Sequence, residues 1–94
     1  MSMVEVTATL AGDGWDCTVT VRDGNESRHC VRVSRAALSR LSPGATDPVS
    51  LVEASIAFLL ERESKESILR DFDLIVIEKF FPDYEQEIRR RLTR

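Results

Sequence analysis

The chain predicts an α+β fold: a three-stranded antiparallel β-meander packed on one face by three to four C-terminal helices, all within a single domain of residues 1–94. Three observations carry that prediction. Two stretches near the N-terminus alternate apolar and polar residues with a period of two. A glycine-bearing two-residue turn joins them in a register that puts both apolar sets on the same face. Further on, Pro48–Arg62 (PVSLVEASIAFLLER) is apolar over more than half of a helical circumference, the pattern of a helix buried on several sides.

In the first stretch, residues 4–10, Val4, Val6, Ala8 and Leu10 share one face and Glu5, Thr7 and Thr9 the other. Residues 15–22 repeat the pattern with Trp15, Cys17, Val19 and Val21 against Asp16, Thr18, Thr20 and Arg22. A turn at Gly12-Asp13, with glycine supplying positive φ, sets Leu10 opposite Trp15 and Val6 opposite Val19. Asp23-Gly24-Asn25-Glu26 is the next turn, and Ser27–Val33 the third strand, with His29, Val31 and Val33 inward and Arg28, Cys30 and Arg32 outward. Residues 1–34 thus form the meander and 35–94 the helical half. The greasy face of such a meander must be covered, and its edges would be strands 1 and 3.

Ser34 is a natural N-cap for a short helix over Arg35–Leu41 that turns Ala37, Leu38 and Leu41 inward. Ser42-Pro43-Gly44-Ala45-Thr46 breaks the chain, Asp47 can cap the central helix, and Pro48 suits its first position. Val49, Val52, Ile56, Leu59 and Leu60 form the inward stripe, widened by Leu51 and Phe58. At 1.5 Å per residue this helix is roughly 22 Å long, short of a bilayer core. Beyond a charged corner at residues 61–66, Ser64 or Ser67 starts a short helical segment carrying Ile68, Leu69 and Phe72. A second segment runs from Asp71 or Asp73 through Leu74, Ile77 and Phe81. Pro82 forces a boundary and opens the last helix, whose stripe is Tyr84, Ile88 and Leu92. Acids in its first turn and arginines in its last match the helix dipole, and Glu85–Arg89 and Glu87–Arg91 have the favoured i, i+4 order.

Ser67–Ile88, SILRDFDLIVIEKFFPDYEQEI, is similar to a pattern in small uncharacterised bacterial proteins that join a strand hairpin to a helical C-terminal half. The matching positions are Ser67-Ile68-Leu69-Arg70, Phe72, Leu74, Ile77, Phe81-Pro82, Tyr84-Glu85 and Glu87-Ile88. The resemblance implies the layout of the fold. It implies no activity, so no site residue is carried over from it.

Ninety-four residues with 43% hydrophobic and 31% charged content have the make-up of an ordinary globular domain. A net charge of −3 argues against general attraction to nucleic acid or anionic lipid. MSMVEVTATL has no basic segment followed by an apolar run, so no secretory leader is expected and the cytoplasm is the expected compartment.

Little here supports catalysis. Cys17, His29 and Cys30 are the only cysteines and histidine. They are one ligand short of a structural zinc set, and strand phase separates Cys17 from Cys30, which also predicts no disulfide between them. His29 and Cys30 are consecutive on a strand and point to opposite faces, which denies them the hydrogen bond of a base and its nucleophile. No phosphate-cradling glycine loop is present. The chain is therefore expected to be non-enzymatic, with no cofactor, no metal and no catalytic residue.

Binding is the expected role: a protein-interaction or regulatory module, homodimeric or an accessory subunit. Ile75, Val76 and Phe80 point off the main stripes and are the candidate protein interface. The alternative is a weak nucleic-acid-binding domain using Arg22, Arg28 and Arg32 on the outer sheet face. Glu5 and Asp16 share that face, and no aromatic is placed there to stack a base. The arginines at 89–91 and 94 are explained by the helix dipole.

Overall fold

The computed structural model describes residues 3–92. It is an α+β fold whose sheet has four strands rather than three. β1 (Met3–Ala11), β2 (Gly14–Arg22) and β3 (Glu26–Ser34) form the antiparallel meander. Pairing of Leu10 with Trp15 and of Val6 with Val19 is the register that the turn chemistry requires. Gly12 has φ +61°, and no residue other than glycine has positive φ among the described residues, so Gly12-Asp13 is a type II′ turn. Its twist matches that of the strands it joins.

The inner face of β2 and β3 is fully covered. Cys17, Val19, Val21, Val31 and Val33 have no exposure, and Trp15 and His29 are buried beside them. β1 departs from its expected burial. Val4, Val6 and Ala8 are half-buried and Leu10 is 66% exposed, because α2 reaches only part of this outermost strand.

α1 (Arg35–Leu41) begins where expected: Ser34 Oγ accepts a hydrogen bond from the Ala37 N–H at 3.0 Å. α2 (Val49–Leu60) is the central helix, with Leu51, Val52, Ile56, Phe58 and Leu59 buried against the sheet and α4. Asp47 Oδ1 accepts from the Val49 N–H at 2.9 Å, while Pro48 lies just before the first helical residue rather than in it. The helix closes on a tightened last turn, in which the Arg62 N–H bonds the Leu59 carbonyl at 2.9 Å.

The stretch after α2 differs most from expectation. No helix carries Ile68, Leu69 and Phe72. A single 3₁₀ turn (Lys65–Ser67) leads into extended backbone, and β4 (Asp71–Asp73) pairs parallel to β3 through Cys30–Asp71, Val31–Phe72 and Arg32–Asp73. The edge expected at strand 3 is therefore occupied over Cys30–Arg32. Non-local hydrogen bonds outcompete the local helix here: the Cys30 N–H bonds the Arg70 carbonyl at 2.7 Å, and the Leu74 N–H bonds the Arg32 carbonyl at 2.9 Å. Phe72 then points into the core while Asp71 stays in water.

α3 is only Val76–Phe80, started by Asp73 Oδ1 accepting from the Ile75 N–H at 3.1 Å. Pro82 lies in a turn two residues ahead of α4 (Tyr84–Leu92) instead of opening it. Tyr84 and Ile88 are buried, and both expected pairs form, Glu85–Arg89 at 3.7 Å and Glu87–Arg91 at 3.5 Å. Among the described residues no helix is long and apolar enough to cross a membrane.

Candidate docking groove

An apolar groove of about 370 Å³ lies at the β4 end of the sheet. Its floor is made of core residues, Leu59 from the end of α2, Ile68 and Phe72 from the segment around β4, and Ile77 from α3. Its rim is Leu69, 54% exposed, facing Phe80, 69% exposed, with Glu63 and Ser67 as the polar members.

Local chemistry holds this rim open. His29 is buried on β3 with Nδ1 2.8 Å from the Leu69 carbonyl and Nε2 2.9 Å from Ser27 Oγ. A carbonyl only accepts, so Nδ1 carries a proton and donates to it, and in the neutral ring Nε2 accepts from the serine hydroxyl. With the Leu69 backbone held to the sheet and Ile68 turned into the core, the Leu69 side chain is left facing water. At the other rim, Arg62 lies over the Phe58 ring at 3.6 Å and bonds Asp83 at 3.2 Å. Phe58 meets Phe81 and Tyr84 edge-on at 5.7 and 5.4 Å. That cluster fixes Phe81 while the neighbouring Phe80 points outward. Arg40 bonds both oxygens of Glu78, at 2.6 and 2.9 Å, and also reaches Glu85, tying α3 to α1 and α4.

Of the three candidate interface residues, Val76 and Phe80 line the groove, whereas Ile75 is 41% exposed in the turn before α3 and is not among its lining residues. Leu69 joins them unforeseen. Its exposure follows from β4, whose parallel pairing has no local sequence signal.

The outer-face arginines are each engaged by carboxylates. Arg22 pairs with Glu5 and with Glu26 at 2.9 Å, Arg28 with Glu26 at 3.3 Å, and Arg32 with Asp16 at 3.1 Å and Asp13 at 3.7 Å. A phosphate would compete with these acids for every one of them. In α4, Arg90 pairs with Glu87 at 2.7 Å and Arg91 with Glu61 at 2.7 Å, while Arg94 lies outside the described residues.

Cys17 is buried on the inner face and Cys30 half-buried on the outer, both as free thiols. Burial pushes the Cys17 thiol up to about 11, aided by Cys30, Asp16 and Asp47; burial first, then Asp71 and Asp16, raises Cys30. Neither thiol is activated as a nucleophile. No cluster of three metal-ligating side chains occurs among the described residues. Lys65 is buried beside the β2–β3 turn, 2.5 Å from Asp23 and 3.0 Å from Glu66, and its charge is spent on them.

Comparison of the chain with protein-family models, with curated proteins and with solved structures returned no match.

Proposed function

We propose that this domain is a non-enzymatic protein-docking module, an accessory or regulatory subunit whose groove receives apolar side chains of a partner protein. The observation that carries this is the pairing of an apolar floor with an exposed aromatic rim at Phe80. A phenyl ring left in water forgoes roughly 1.5–3 kcal/mol of burial, and an interface recovers it. The groove has few polar groups to orient a small substrate, and its open form suits the apolar face of a helix or a short extended segment. Binding to nucleic acid through Arg22, Arg28 and Arg32 has weaker support, since each is already paired.

Capture from the native host's lysate with wild-type and Phe80→Asp baits tests this. A partner retained by wild type and lost with the variant, at unchanged circular dichroism, supports docking at the groove. Equal recovery by both baits overturns it. Nucleic acid released at moderate salt would favour the arginine face instead.

A further inference from the structure

The sheet ends on the three-residue β4 at one side and on the nine-residue β1 at the other, and the residues of this long edge complement themselves. The type II′ turn makes Ala11–Gly14 a pair that exchanges both backbone hydrogen bonds. By alternation, Met3, Glu5, Thr7 and Thr9 also bond β2, and Val4, Val6, Ala8 and Leu10 direct their N–H and C=O groups to the free edge. Exposed edges are commonly blunted by proline, lysine, a bulge or a covering segment. β1 has none of these: its nine residues pair with β2 without interruption, and its one charge, Glu5, is tied to Arg22. β3, at the opposite side of the meander, is paired with β4 over Cys30–Arg32. Leu10 and Met3, 66% and 59% exposed, stand at the two ends of the bare strand.

We propose that two copies of this chain join along β1, antiparallel about a two-fold axis at Thr7, into one continuous eight-stranded sheet. In that register Thr7 faces Thr7 of the second copy, Val6 faces Ala8, Glu5 faces Thr9, Val4 faces Leu10 and Met3 faces Ala11. All nine residues are used. Every inner-face residue meets an apolar one, and Leu10 gains the cover it lacks. The charge pattern selects a second copy as the occupant, because the two-fold sets the only acid of each strand against a threonine and never against its own image. Shifting the axis to Val6 or Ala8 carries Leu10 or Val4 past the end of the partner strand. A one-residue slip between the copies would set apolar side chains against threonines.

The order of strands then places a groove at each far end of the sheet. Seven strand spacings of about 4.8 Å separate the two β4 strands by roughly 34 Å. The assembly offers two identical docking sites facing away from each other.

The test uses the full chain in a Cys30→Ser background, which leaves the buried Cys17 as the only native thiol. Sedimentation across a concentration series should show a dimer, and Thr7→Lys, which sets two ammonium groups opposite each other at the axis, should raise its Kd about fivefold. With oxidised glutathione, Thr7→Cys should cross-link two chains, since non-hydrogen-bonded partners lie about 4.5 Å apart at Cα; Thr9→Cys should not. A monomer at every concentration overturns the proposal. So does cross-linking through Thr9→Cys in preference to Thr7→Cys, or a dimer that Phe80→Asp dissociates and Thr7→Lys leaves intact.

Discussion

Ser55 Oγ and Tyr84 Oη lie 2.6 Å apart in the core, joining two helices across 29 residues of chain. Ser55 also donates to the Leu51 carbonyl at 2.7 Å, so its single proton is committed and Tyr84 must be the donor of the shared bond. Burial keeps the phenol protonated far above its usual range. The two deletions are therefore unequal. Ser55→Ala strands a buried hydroxyl and should cost about 1–3 kcal/mol, whereas Tyr84→Phe leaves Ser55 satisfied and should cost about 1 kcal/mol or less. Urea unfolding of the two variants measures the difference.

His29 anchors β4 through the Leu69 carbonyl. His29→Leu keeps the volume and removes the anchor, so β4 should open locally while the meander stays closed. Hydrogen exchange should then accelerate at the Cys30 and Leu74 amides, which bond across β3 and β4, and remain slow between β1 and β2. Uniform acceleration at all of these amides would show that His29 supports the whole sheet.

Gly14 has ordinary φ, yet a Cβ on it would sit 2.4 Å from the Val33 carbonyl oxygen. That oxygen is backbone near the end of β3, held in the ladder with β2, and cannot swing aside. Gly14→Ala should destabilise by about 1–3 kcal/mol, visible as a lowered Tm. Gly24 has φ +98° and open space around it, so Gly24→Ala tests conformational strain alone.

Acid should loosen the helical half and the β2–β3 turn. Two hydrogen bonds from Arg90, at 2.7 Å each, with the charges of Arg90 and Arg91, hold Glu87 down at about 2 against an ordinary 4.5. Glu61 is lowered by its bond from Arg91, and Glu26 by its bond from Arg22. A carboxylate lowered in the folded state stabilises it above the unfolded value and loses that contribution as the pH falls through the folded one. Tm should therefore decline from about pH 4.5 toward pH 2. Glu87→Gln should lower Tm at neutral pH and flatten this decline, and salt should weaken both effects because these groups are exposed.

The hairpin was legible because two independent local signals agree. A period of two fixes which residues share a face, and glycine at the first turn position fixes the register. Ser34 as a cap and the α4 ion pairs were legible for the same reason, since each lies within one helical turn of what it bonds. β4 was not. Asp71-Phe72-Asp73 has no hairpin turn beside it, and its partner strand lies some 40 residues upstream. Without β4, Leu69 looks like one face of a helix, and the groove it rims is invisible. Phe80 stood out because it falls off the stripe that Ile77 and Phe81 define. Ser55 went unnoticed, a small polar residue whose role depends wholly on where Tyr84 arrives.

The pairing of β4 with β3 also dictates an order in time. The meander closes its two hairpins over loops of two and three residues, while joining Arg32 to Asp73 must gather a loop of some 40. That adds roughly 2 kcal/mol of closure entropy, so β4 and α3 settle onto a sheet that has already formed. Pulse-labelled exchange during refolding should find the β1–β2 amides protected before those of Cys30 and Leu74; simultaneous protection would refute the order. The groove then exists only once β4 has joined the meander, and a partner that needs it can recognise only chains that have passed that step.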